Sequence, residues 1–370
     1  MTVDPGDAAD PVTVDELVAA RSVVVCCGPG GVGKTTTAAV VALEGAMRGR
    51  RAVVVTIDPA RRLADALGLE SLSDEPRLID SKGRWDGELW ALMLDTKSTF
   101  DTLVSKYAGR PEQAEAILSN RFYRNISSAL SGTQEYMAME KLFELHDENR
   151  FDLIVVDTPP TRNALDFIDA PRRLTRFLDN RIFRLLMLPA RAGLKIVNAA
   201  AQPLLRTVSK VIGVQVVQDA IAFFRAFEGM EDGFRDRAQR VLALLSEPST
   251  AFVLVSSPRR DAVDEADFFA RKLLEANIGV EALVVNRMHP RFGDRTAEWA
   301  REKAKSSPPP LRPFYENLAD LYQVADGEDA HLRTLVDRVA PAPAVRVPLL
   351  ASDVHDLEGL SEVRSYVFAG

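Results

Sequence analysis

The chain has 370 residues and a formal net charge of −7, with 46% hydrophobic and 27% charged residues, which suits one large α/β domain with insertions or two domains. The acidic balance argues against general nucleic-acid binding, which requires a basic excess. Its only cysteines, Cys26 and Cys27, are adjacent and exclude a disulfide framework and a paired-cysteine zinc site.

In chain order, residues 1–19 are polar and read as a loose lead-in with a short helix. Asp4, Asp7 and Asp10 stand where a leader would be basic and then apolar. No apolar run reaches the roughly 18 residues that a membrane span needs. The expectation is a reducing, cytoplasmic compartment. Strand-like runs then recur at 22–27, 52–57, 89–94, 153–156, 252–256, 282–285 and 345–349, with helical patterns between them. Several are continuously apolar, as parallel strands covered on both faces are. The predicted fold class is α/β: a doubly wound, mostly parallel sheet, with ligand at the carboxyl ends of its strands.

Two stretches, 99–149 and 172–245, read as helices without strands. They predict an inserted helical subdomain, with 20–370 otherwise one core. A charged, proline-containing section from Ser306 to Pro343 reads as a surface excursion of helices with partial mobility.

The first strand leads into Gly28-Pro29-Gly30-Gly31-Val32-Gly33-Lys34-Thr35-Thr36. This fits G-x-x-x-x-G-K-[ST], with the strand before and helix after that the motif needs. Its glycines let successive N–H groups turn inward around a phosphate, at the positive end of the following helix. Lys34 is then expected on the β- and γ-phosphates and the Thr35 hydroxyl on Mg²⁺. Asp58 and Asp157 each close an apolar strand. Asp58 is placed to orient a water on the γ-phosphate, and Asp58 and Asp157 with Thr35 are the candidates for the Mg²⁺ shell. A helix cap or turn role is the plainer alternative for either.

The glycine loop, Ile57-Asp58-Pro59-Ala60, Asp65-Ala66-Leu67, Asp157-Thr158-Pro159-Pro160-Thr161 and Val284-Val285-Asn286-Arg287 together resemble the anion-transporting ATPase family. That family includes the arsenite-pump ATPase and the tail-anchored-protein-targeting ATPase. The resemblance implies ATP and Mg²⁺ as ligands, Asp58 in switch I and Asp157 in switch II. It implies adenine recognition by Asn286, beside Arg287, and a base pocket lined by Pro348, Leu349 and Leu350. It also implies an ATP-driven dimer with nucleotides at the interface.

The sequence departs from that pattern. Pro29 stands where the family's signature Lys reaches across the dimer, and proline has neither charge nor N–H. Arg259 stands near an acidic ribose-side position, and the zinc-binding and arsenite-binding cysteines are absent, so no zinc is expected. Hence two arrangements are open: a heterodimer with a paralogous ATPase that carries the Lys, or a homodimer that uses Arg61, Arg62 or Arg162 or simply hydrolyses slowly.

The stretch 182–224 is the most apolar outside the strands, and Arg184, Arg191, Lys195, Arg206 and Lys210 give it a basic face. It is read as buried core, as a groove for an apolar protein client, or as a peripheral membrane surface. Met137, Met139 and Met187 suit an adaptable lining or plain core. Glu135 is an interface candidate or a solvated helix-start carboxylate. The function expected is a Mg²⁺-dependent ATPase, a nucleotide-gated dimer coupled to the helical subdomain. The alternatives are an ATP-binding regulatory subunit and a small-molecule kinase or ATP-dependent ligase.

Overall fold

The computed structural model describes residues 13–58, 61–124, 133–158, 170, 172, 176 and 214–368. Its elements begin with α1 (Val14–Ala20), β1 (Val23–Cys27), α2 (Lys34–Met47), β2 (Arg51–Thr56), α3 (Arg62–Ala66), β3 (Arg77–Leu78) and β4 (Glu88–Met93). Next come α4 (Thr96–Tyr107), α5 (Pro111–Leu118), α6 (Thr133–Asp147), β5 (Leu153–Asp157), α7 (Val214–Ala226) and α8 (Glu231–Ser246). The chain closes with β6 (Thr250–Ser256), α9 (Arg260–Glu275), β7 (Ala282–Met288), α10 (Ala297–Ser306), α11 (Arg312–Val339), β8 (Ala344–Pro348) and α12 (Leu357–Val367).

The eight strands form one sheet in the order β3-β4-β2-β5-β1-β6-β7-β8. All neighbours are parallel except β3 with β4. The α/β expectation therefore holds, with β3 as an addition: two exposed residues carry no apolar run to reveal it. From β1 the chain steps outward to β2 and later returns to β6 on the other side. The carboxyl end of β1 is thus the crevice where an open sheet binds its ligand. β1, β5 and β6 are buried along their whole length, which explains their unbroken apolar sequences. Helix α2 lies on β1, β2 and β5 and is covered by α1, α3 and α12. Its Ala and Gly residues allow that close approach: a Cβ on Gly45 would stand 2.5 Å from Leu153 Cδ2. Buried Glu44 takes Arg48 at 2.6 Å and the Arg364 guanidinium, tying α2 to α12.

The section from Ser306 to Pro343, expected to hold helices, is mostly one long helix. α11 runs 28 residues and packs on α9, α10 and β7, burying Ala319, Tyr322, Ala325, Leu332, Leu335 and Val339. These six follow helical spacing, so α11 has one apolar stripe to cover.

Two compact units emerge. One comprises residues 1–93, 148–165 and 248–370 and contains the sheet; the other comprises 94–147 and 166–247. Within the second, Phe100, Tyr107, Tyr123, Phe223, Phe227 and Phe234 form a connected aromatic cluster. Met137 and Met139 are fully buried, hence core, while Met187 lies outside the described residues. Glu135 is 9% exposed, so it is not the solvated carboxylate that a helix start suggested. Of the stretch 182–224, the part up to residue 213, with all five basic residues, lies outside the described residues. The remainder opens α7, which buries Phe223 and Phe224 and exposes Val214 and Val216. Among the described residues no helix is long and apolar enough to cross a membrane.

The second unit also buries an ion pair. Arg237 Nε donates to Glu140 Oε1, and the Arg237 guanidinium lies 3.9 Å from the centre of the Phe143 ring. Burial pushes the Glu140 carboxyl up, opposed by Arg237. Glu140→Ala is expected to cost about 3–5 kcal/mol, because it leaves a buried guanidinium uncompensated. The double change Glu140→Met with Arg237→Met should recover most of that loss, since apolar replacement of a whole buried pair is often neutral or better. Urea denaturation of both variants checks this; a single variant as stable as the parent would refute it.

Candidate functional site

The phosphate loop is held in shape from beneath. Gly28 has φ +140°, and a Cβ there would stand 2.1 Å from the Val255 carbonyl oxygen on β6. Gly33 has φ +100°, and its Cβ would meet Asn286 Nδ2 at 2.2 Å. Neither position admits a side chain without displacing these neighbours. Asn286 and Arg287 lie on β7, at the irregularity between Val285 and Met288 in its pairing with β8. Arg287 takes the left-handed conformation, φ +64°. Asn286 Nδ2 donates to the Val32 carbonyl at 3.0 Å, and Arg287 Nη1 donates to the Gly31 carbonyl at 3.1 Å. The Asn286 amide oxygen accepts from the Arg287 N–H at 2.9 Å. Both residues therefore brace the loop, with about half of the Asn286 amide's hydrogen-bonding capacity left for a base.

The ionisable groups converge around Asp157. The register sets Asp157 beside Thr56 on β2 and Cys26 on β1. Its Oδ2 accepts the Thr35 hydroxyl at 2.7 Å and the Thr56 hydroxyl at 2.8 Å. Its Oδ1 is buried and has no hydrogen-bond partner among the described residues. Burial is the main cause of the rise in the Asp157 carboxyl to about 6; the two hydroxyls and Lys34 oppose it, and Asp58 adds to it. Lys34 is 6% exposed, and its Nζ donates to the Pro29 carbonyl at 2.7 Å. Burial lowers its pKa, opposed chiefly by Asp157. A buried, unpartnered carboxylate oxygen beside a threonine hydroxyl is a donor set suited to a hard divalent cation.

Asp58 follows the carboxyl end of β2. Its N–H donates to Thr56 Oγ1 at 3.2 Å, and its Oδ2 lies 3.3 Å from Arg62 Nη1. Thr56 thus connects the two aspartates, accepting from one and donating to the other. Sequence reasoning passed it over as a strand residue. The available signal was a hydroxyl two positions before Asp58, but its partner on β5 is legible only once the register is known. Thr56→Val keeps the shape and removes both bonds. It is expected to lower turnover about tenfold and to cost about 1–2 kcal/mol of stability, while raising the Asp157 pKa further. A pH–rate profile with its acid limb displaced upward is the check; an unchanged profile would refute the link.

A cleft of about 480 Å³ brings together Gly31, Gly33, Lys34, Thr35, Thr36, Asp58, Arg62 and Asp157. Asn286, Arg287, Pro348, Leu349 and Leu350 line it too, with Asp65 of the Asp65-Ala66-Leu67 motif and with Asp353 and His355, which the motifs did not include. Gly28, Gly30 and Val32 do not line it. Gly28 is buried under β6, Val32 is in the core, and Gly30 and Val32 border an adjoining cavity of about 250 Å³ with Pro29 and Arg259. Arg259 there pairs with Asp261 at 2.5 Å. Arg61 does not line the cleft, and Arg162 lies outside the described residues.

Comparison with known proteins follows the same lines. The family model described as anion-transporting ATPase matches residues 21–367. ATPase GET3 of Malassezia globosa is 23% identical over 366 residues, covering 98% of this chain and 96% of the relative. ATPase get3 of Schizosaccharomyces japonicus is 24% identical over 360 residues, 95% and 94% of the two chains. ATPase ASNA1 homolog 2 of Paramecium tetraurelia is 25% identical over 341 residues, 90% of each.

Proposed function

This chain belongs to the anion-transporting ATPase family and is an ATP hydrolase, and on that premise we propose a Mg²⁺-dependent ATPase that works as a nucleotide-gated dimer. The carrying observation is the single cleft in which Lys34, Thr35, Asp58 and Asp157 meet, with the Asp157 Oδ1 oxygen unpartnered among the described residues. Thr35 and Asp157 would hold Mg²⁺, which supplies charge neutralisation at the phosphates when bound. Lys34 binds phosphate oxygens from the loop. Asp58 accepts a hydrogen bond from the attacking water and aligns it. The half-used Asn286 amide, with Pro348, Leu349 and Leu350, supports recognition of adenine.

Gating follows from connectivity. The segment leaving β5 after Asp157 and Thr158 is the one that crosses into the helical unit at 165–166. A change at the terminal phosphate would be passed on along this piece of chain, and the helical unit would serve an apolar client or a membrane surface. Pro29 favours a second reading, in which a Lys-bearing paralogue completes a heterodimer and this chain binds ATP as a regulatory subunit.

Phosphate release by the purified chain, with Mg²⁺ and with chelator, tests the first reading, alongside sizing in ATP and in ADP. Mg²⁺-dependent turnover and an ATP-dependent shift to dimer are expected. Equal turnover in chelator would overturn the metal role, and a monomer in both nucleotides would overturn the gating. ATP binding without phosphate release would select the heterodimer.

A further inference from the structure

Three side chains of fixed positive charge line the cleft among the described residues: Lys34, Arg62 and Arg287. They differ in what holds them. Lys34 is buried against the Pro29 carbonyl, and Arg287 is bound to the Gly31 carbonyl. Arg62 is 59% exposed, and its pair with Asp58 spans 3.3 Å. That is longer than the 2.7–2.9 Å usual for charge-assisted hydrogen bonds. With the guanidinium end in solvent and the contact this long, Arg62 is the most readily exchanged of the three.

Asp58 and a terminal phosphate are both anions, so bringing them together around one water requires positive charge between them. The loop contributes Lys34 on one side, and Pro29 contributes none. Arg62 is the first residue of α3, four positions after Asp58, so one short segment carries the aspartate and a guanidinium together. The planar fork of that guanidinium suits phosphate oxygens as well as a carboxylate.

We propose that Arg62 is a catalytic arginine for ATP hydrolysis in its own chain, leaving Asp58 for the γ-phosphate when ATP binds. This rests on the role given to Asp58 above. In the step, the water oxygen bonds to the γ-phosphorus as the bond from that phosphorus to the β,γ-bridging oxygen breaks. The bridging oxygen keeps the electron pair and departs with ADP. One water proton passes to the Asp58 carboxylate and then to solvent. Arg62 neutralises charge on the transferring group, and its departure removes one contact from the Asp58 carboxylate, where the water binds. In the nucleotide-free state the same contact occupies that carboxylate.

The test compares the parent chain with Arg62→Ala and Arg62→Lys. Arg62→Ala is expected to lower kcat about 10³-fold, the lower end for an arginine at a transferring phosphoryl group. Affinity for ADP should stay within about threefold, the pattern of an interaction made in the transition state. Affinity for ADP with aluminium fluoride and Mg²⁺ should fall with kcat, and Arg62→Lys should lie between. A kcat for Arg62→Ala within about threefold of the parent, or a kcat loss without loss of aluminium fluoride affinity, overturns the proposal. Mixing Arg62→Ala chains with Asp58→Asn chains decides cis from trans. Restored turnover would mean that Arg62 serves the partner's site and would overturn the assignment. Full activity of Asp58→Asn alone would remove the Asp58 reading instead, while the Arg62 measurements still stand by themselves.

Discussion

Asp58→Asn is expected to lower kcat by about 10²–10⁴-fold, the range for loss of a positioned acid–base group, without weakening ATP binding. The amide keeps the size of the carboxylate, and the Asp58 N–H to Thr56 Oγ1 bond is made by the backbone and survives. What is lost is the negative charge that accepts from the water. Removing an anion beside the terminal phosphate also removes a repulsion, so ATP affinity should be equal or higher. The measurement is single-turnover hydrolysis beside equilibrium binding of a fluorescent ATP analogue. Turnover within a few-fold of the parent would place the water elsewhere in the cleft. A joint loss of binding and turnover would make Asp58 a binding residue.

Asp157→Asn should give opposite signs for stability and activity. The carboxyl rises from its ordinary 3.8 to about 6, mainly because it is buried. A folded-state value above the unfolded one means that the folded chain binds the proton more tightly. The stabilisation that this gives is complete below about pH 4 and is lost as pH rises through about 6. At pH 7–8 the metal-free chain carries the charged form at a cost of roughly 1–3 kcal/mol. Asn removes that cost, so the metal-free variant should melt higher at pH 8 and no higher at pH 4. Mg²⁺ affinity and turnover should collapse, because the amide offers no charge to the cation. In the parent, Mg²⁺ binding near pH 6 should release protons, since the metal requires the ionised carboxylate. Thermal melts at two pH values, with and without Mg²⁺, carry the test. An Asn variant less stable than the parent at pH 8 would refute the assignment of Asp157 as a buried, metal-awaiting charge.

The two expectations differ in where they come from. Asp58 was visible as an aspartate closing an apolar run beside a glycine loop. The state of Asp157 was not, because its pKa depends on burial between β1 and β2 and on two hydroxyls from distant segments. Asn286 was placed in the site from sequence, but its bond to Val32 spans 254 residues of chain and no local pattern encodes it. Among the arginines left open, the start of α3 puts Arg62 into the cleft and leaves Arg61 out of it.

By itself the sequence determined the parallel sheet, the phosphate loop, the two strand-end aspartates and the family. Each is written in contiguous residues: apolar runs of strand length, glycines at fixed spacing, and an acid where a strand stops. Tertiary structure alone decided that Thr56 joins the aspartates, that β7 braces the loop, that Glu135 is buried and that α11 is a packed helix. Those outcomes depend on strand register and on which faces meet across long separations. Burial then sets the charge states, since a carboxylate's proton affinity is fixed by the water, hydroxyls and charges around it and not by its neighbours in the chain.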